Sequence, residues 1–184
     1  AHHENISILT AIQSGMDWAA RQFSGAKHLP ELTKLIEKAI HLAASEMSDA
    51  QAIRTLGEGW VAEETLAIAV YCALKYEHDF DRAIIAAVNH DGDSDSTGAV
   101  TGNLLGTRLG LADIPQKYLE HLELQPVILE LADDLYHGCP VTYGQRPMIH
   151  VAGTPILELQ SETSEDAVWD AKYNTATYHC TVTN

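Results

Sequence analysis

At 184 residues with 46% hydrophobic side chains, the chain is long enough for one domain with a sizeable core, and its composition excludes a disordered polypeptide. Lys and Arg number 11 against 26 Asp and Glu, for a net charge of −15. Nucleic acid is thereby excluded as the main partner, because little in the chain would release counterions from a phosphate backbone.

The elements follow in chain order. Ile6, Leu9, Ile12, Met16 and Ala19 recur at helical spacing, as do Leu32, Leu35, Ile36, Ala39, Ile40 and Ala43, with Gly25 and Pro30 at the break. Ser48 and Gln51 form a capping-box pattern that opens a short helix ending near Gly57. "TLAIAVYCAL", residues 65–74, is apolar on every side and predicts a helix buried in the middle of a bundle. "FDRAIIAAVNH" predicts the next helix. A glycine-rich helix then runs to about Gly110, followed by helices around 115–124 and 126–136. The tail, including "CPVTYGQRPMIHVAGTPILELQ", lacks a helical period and reads as loop with one or two short strands. The fold class expected is all-α, with an irregular tail over 137–184.

The apolar runs are too short to span a bilayer and no signal peptide is visible, so no membrane partner is expected. Cys72, Cys139 and Cys180 form no CxxC pair and no disulfide framework, which fits a reducing, cytoplasmic setting. Cys72 lies in the apolar run and reads as a small core hydrophobe.

The stretch "NHDGDSDSTGAVTGNLLGTRLG", residues 89–110, holds the chemistry. An EF-hand starting at Asp91 would need glycine where Ser96 stands and glutamate where Gly102 stands, so that reading fails. Two readings remain open on spacing alone. Asp95 or Ser94 caps the following helix, or the clustered carboxylates and hydroxyls hold a hard cation such as Mg²⁺, Mn²⁺ or Ca²⁺. Gly98, Gly102, Gly106 and Gly110 share one helix face, and another backbone is expected to pack against it.

"NHDGDSDSTGAVTGNLLG" resembles the C-terminal metal motif of the ADP-ribosylglycohydrolase family, the group that includes dinitrogenase reductase-activating glycohydrolases. Upstream, "LGEGWVAEETLAIAVYCAL" resembles the family's glycine loop and buried helix, in the right order, so that the resemblance covers roughly residues 30–136. It implies an orthogonal, bundle-like helical fold that cradles two divalent cations, Mg²⁺ or Mn²⁺. The implied activity is metal-assisted hydrolysis of the glycosidic bond joining ADP-ribose to a modified protein or a small acceptor. Residue by residue, the resemblance places metal ligands at Asp93, Asp95 and Ser96, and an ADP-ribose-lining position at Trp60 with Glu58 and Gly59 beside it. It assigns no role to Asp91 and identifies no catalytic residue. An ordinary core aromatic is the competing account of Trp60, and a satisfied structural histidine is the favoured account of His90.

The family's N-terminal threonine and paired-aspartate motif has no counterpart here: Asp133 and Asp134 follow Ala132 and come after the C-terminal motif. Residues 1–184 are therefore expected to form a single partial domain, the C-terminal half of the family fold, inactive alone. Its partner would be the missing N-terminal half or a second copy, covering part of the 65–74 run or the glycine face. The alternatives are a non-catalytic family member with a structural role and a simple cation-binding helical module.

Overall fold

The computed structural model describes residues 6–137 and the backbone of two short strands, 168–170 and 175–177. The chain divides into two compact units, Ala1–Glu120 and His121–Asn184. In the first, α1 spans Ile8–Gln22, α2 Leu29–Ala43, α3 Asp49–Leu56, α4 Ala62–Lys75, α5 Phe80–Val88 and α6 Ser94–Leu109. The starts follow local chemistry. Ser7 accepts the N–H of Thr10 at 3.1 Å, Pro30 lies in the first turn of α2, and Asp79 accepts the N–H of Arg82 at 3.0 Å. Ser48 does cap α3, but its hydroxyl meets the Gln51 side chain at 3.0 Å and no backbone N–H.

α4 is the centre of this unit. Its residues 67–73 are all buried, and α1, α2, α3, α5 and α6 pack around it. At about 1.5–3 kcal/mol for each large apolar side chain removed from water, this one helix carries much of the core stability. Part of the 65–74 run, or the glycine face, was expected to be left for a partner; within the run only Leu66 and Leu74 are partly exposed, and helices of the same unit cover the rest. Cys72 is fully buried within it, and burial pushes its thiol up to about 12. The exposed large apolar residues lie elsewhere, among them Trp18 and Phe23 on and just beyond α1, and Ile85 and Val88 on α5.

α6 presents Thr97, Thr101 and Leu105 to the core. The neighbouring glycine face meets side chains, not a backbone. A Cβ at Gly98 would lie 2.7 Å from Val88, one at Gly102 3.8 Å from Ile84, and one at Gly106 3.9 Å from Ile114. Gly110 does not share this face, since it terminates the helix with φ of 78°.

A polar network ties α3 to the end of α4. Asp49 accepts from the Tyr71 hydroxyl at 2.6 Å and the Tyr76 hydroxyl at 2.8 Å, and pairs with Lys75 at 3.0 Å. Lys75 also donates to the Met47 carbonyl and the Tyr71 oxygen, both at 2.8 Å. Burial pushes the Asp49 pKa upward, but these hydrogen bonds and the lysine charge outweigh it and hold the carboxyl below its usual range. Burial, then the Asp49 carboxylate, raise both tyrosines.

The helix expected around 115–124 is absent. A 3-10 turn, Gln116–Tyr118, stands there instead, preceded by another at Leu111–Asp113. Pro115 is itself extended (ψ 132°), a 3-10 turn follows it, and the backbone at Leu124 reaches φ of 57°. In the second unit α7 spans Gln125–His137, and β1 (Val168–Asp170) pairs antiparallel with β2 (Thr175–Thr177). The stretch 139–160, where loop and strands were expected, lies outside the described residues. Among those described, no helix is long and apolar enough to cross a membrane.

Candidate functional site

The loop 57–61 joins α3 to α4 and is shaped by the helix it precedes. Gly57 stops α3 with φ of 135°, and the Glu64 side chain passes so close that a Cβ on Gly57 would overlap it. One Glu64 oxygen accepts the N–H of Glu58 at 3.1 Å and of Gly59 at 3.0 Å. The Thr65 hydroxyl donates to the Gly59 carbonyl at 2.7 Å. Held in this way, the loop turns Trp60 outward, 67% exposed, with its indole N–H donating to Glu58 at 3.2 Å. The core-aromatic account of Trp60 is thus overturned.

The acidic turn is fixed from beneath by His90. Its Nδ1 accepts the Gly92 N–H at 3.1 Å, and its Nε2 lies 2.9 Å from the Thr97 hydroxyl, which donates to the Ala87 carbonyl at 2.7 Å. Because Gly92 must donate, Nδ1 is the acceptor and Nε2 carries the proton. Both ring nitrogens are engaged, so His90 is a structural histidine.

The two segments dock onto each other. The Asp93 N–H donates to the Glu58 carbonyl at 2.8 Å, and Gly92 lies so close to that carbonyl that any Cβ would overlap it. Asp93, not Ser94 or Asp95, is the N-cap of α6, and its side chain makes no cap hydrogen bond. Hydrogen bonding with the Asp95 carboxyl, then with Ser96, holds the Asp93 carboxyl below the usual carboxylate range.

The loop and turn border a cleft of about 410 Å³, within the range that small-molecule sites occupy. Trp60, Val61, Leu66 and Val100 give it an apolar side, while Asp93 and Ser96 give it a polar one. Gly59 lines the cleft as well, Glu58 reaches it through Trp60, and Asp95 sits exposed on the same turn. Asp91 is exposed and does not line it. The donors are hard oxygens, suited to Mg²⁺ or Mn²⁺ and not to zinc or copper. They are also few: among the described residues no three His, Cys, Asp or Glu side chains converge. A second cleft of about 440 Å³, bordered by His78, Asp79, Asp81 and Asp113, contains none of these residues. Glu64, Thr65, His90 and Gly92 have positioning roles that the sequence did not disclose. Glu64 lies in the first turn of α4, and only the fold brings its carboxylate back over the loop.

A model of the ADP-ribosylglycohydrolase family matches residues 3–145. An uncharacterized protein of Archaeoglobus fulgidus is 32% identical over 123 residues, which cover 62% of this chain and 39% of that protein. ADP-ribosylarginine hydrolase Tri1 of Serratia proteamaculans is 29% identical over 111 residues, 60% of this chain and 30% of that protein. The chain thus spans less than two fifths of the length of the curated relatives it matches. No solved structure matches it significantly.

Proposed function

The chain belongs to the ADP-ribosylglycohydrolase family, and from that premise we propose that its Trp60 loop and Asp93 turn form one wall of a site that hydrolyses the glycosidic bond between ADP-ribose and a modified acceptor. The observation that carries this reading is the docking of the two segments through the Asp93 N–H and the Glu58 carbonyl. It sets the exposed Trp60 ring and the Asp93 carboxyl around one cleft, with Asp95 on the same turn. The name of the Serratia relative favours an ADP-ribosylated arginine side chain as the acceptor.

Each residue has a task. Trp60 offers its ring for stacking against the adenine or ribose, and its hydrogen bond to Glu58 limits how far the ring can swing. Asp93, Asp95 and Ser96 would hold a Mg²⁺ or Mn²⁺ ion through their oxygens. When bound, such a cation supplies Lewis-acid stabilisation of developing charge at the ribose. The local positive charge also lets an anionic ligand approach a chain of net charge −15.

Three oxygen donors fill half of an octahedral shell of about six. The remaining ligands come from water, from another segment of a longer polypeptide, or from a second copy. The 184 residues by themselves therefore bind ADP-ribose but do not turn over.

Calorimetric titration of ADP-ribose in the presence of Mn²⁺ tests this reading. The chain should bind saturably, and Trp60→Ala should weaken binding by about tenfold, since stacking of a base on an aromatic ring is worth roughly 1–3 kcal/mol. Affinity unchanged by Trp60→Ala would remove the site from this cleft. Release of ADP-ribose from a modified arginine by the chain alone, abolished by Asp95→Ala, would contradict the shared-site part.

A further inference from the structure

We propose that Glu64 is the positioning residue of this site: by fixing the peptide unit between Glu58 and Gly59 it aims the Glu58 carbonyl at the Asp93 turn. The consequence for ligand affinity rests on the functional reading above, whereas the consequence for the turn rests on geometry alone.

A trans peptide is planar, with its N–H and C=O pointing in opposite directions. The unit between Glu58 and Gly59 is bonded at both ends. Its N–H donates to Glu64 at 3.0 Å, and its C=O accepts from the Asp93 N–H at 2.8 Å. Pulling the N–H toward α4 therefore turns the C=O toward the acidic turn. The neighbouring groups reinforce this orientation: the same Glu64 oxygen takes the Glu58 N–H at 3.1 Å, and Thr65 takes the Gly59 carbonyl at 2.7 Å.

Glu64 stands at the third position of α4, where a capping-box glutamate would reach back to the N-cap residue. It reaches further instead, past Val61 and Trp60. Val61, the N-cap residue, has no side-chain cap hydrogen bond. Glu64 is thus spent on the loop rather than on the end of its own helix. Gly57, without a Cβ, leaves room for that reach. Bonds from an ionised carboxylate to two N–H groups are stronger than neutral ones, which suits a residue that must hold a whole loop.

Hydrogen exchange resolved by residue tests the inference, because the Asp93 N–H makes no hydrogen bond with Glu64 and reports only on the orientation of the peptide between them. In Glu64→Ala, exchange at Gly59 and Asp93 should quicken by about tenfold, the loss of roughly one net hydrogen bond, while Ile68 and Val70 in the core of α4 stay protected. Glu64→Gln keeps an acceptor oxygen and should stay within about threefold of wild type at both amides. Affinity for ADP-ribose should follow the same order. Unchanged protection at Asp93 in Glu64→Ala, or a Gln variant as perturbed as the Ala variant, overturns the proposal. Should Glu64→Ala lose core protection as well, the comparison moves to Glu64→Gln and Glu64→Asp. The shorter aspartate should then free the Asp93 amide and the glutamine should not, and the opposite order overturns it. A wild-type chain that fails to bind ADP-ribose refutes the functional reading, yet leaves the exchange pattern to decide the role of Glu64.

Discussion

Replacing Asp49 with alanine removes the acceptor on which the ends of α3 and α4 converge. The Tyr71 residue is fully buried, so its hydroxyl loses its acceptor with no access to water, whereas Tyr76 is only partly buried and can rebond to solvent. Lys75 keeps the Met47 carbonyl and the Tyr71 oxygen. With about 1.5–3 kcal/mol for a hydrogen bond to a charged group, and one such bond lost without replacement, the variant should be about 1.5–3 kcal/mol less stable in urea. A double-mutant cycle with Tyr71→Phe should return less than the sum of the single losses, since both substitutions remove the same 2.6 Å bond. The pH dependence follows from the shifts. Asp49 ionises in the folded state below its ordinary value of 3.8, so its contribution is complete above that value and is lost as pH falls below it. Tyr71 and Tyr76 are raised above 10.0, so theirs is complete below pH 10.0 and is lost as pH rises past it. Asp49→Ala should therefore flatten the wild-type fall in stability at the acid end. A loss below about 1 kcal/mol at neutral pH, or an unchanged acid limb, would refute the reasoning.

Other substitutions read separate parts of the structure. Gly92→Ala places a methyl group onto the Glu58 carbonyl and forces the loop and turn apart; a cost of about 2–4 kcal/mol is expected from overpacking plus the lost Asp93 hydrogen bond, measured by denaturant titration. Gly102→Ala meets Ile84 only at ordinary contact distance, 3.8 Å, and should raise stability by about 0.8–1.0 kcal/mol through helix propensity. Gly98→Ala, 2.7 Å from Val88, should lose that gain; equal effects at the two glycines would mean that the α5–α6 packing is misjudged.

How much of this was legible in the sequence depended on how local the cause was. The apolar run at 65–74 identified α4 as the central helix because burial on all sides leaves its mark on every residue. Gly57 marked the end of α3 for a similarly local reason. The glycine spacing on α6 disclosed close packing, but not that valine and isoleucine side chains would occupy the space. The helix expected over 115–124 is replaced by a 3-10 turn after an extended Pro115, which the composition of that stretch did not disclose. At the candidate site, the two motifs were legible by resemblance. Their docking was not, because the bond between Asp93 and Glu58 joins residues 35 positions apart in the sequence. His90 read as a structural histidine, but its partners were not legible, since its two hydrogen bonds exist only once the turn has closed over α6.

The measurement that bears most directly on the central claim is Mn²⁺ binding, followed by water-proton relaxation with and without ADP-ribose. Cation and ligand should assist each other, since by linkage whatever one does to the affinity of the other must be returned in equal measure. The chain should bind Mn²⁺ weakly alone and about tenfold more tightly with saturating ADP-ribose, while Asp93→Asn and Asp95→Asn abolish the enhancement without unfolding the chain. Tight Mn²⁺ binding that ignores ADP-ribose, or that survives both substitutions, would contradict the account and place the cation outside the Asp93 turn.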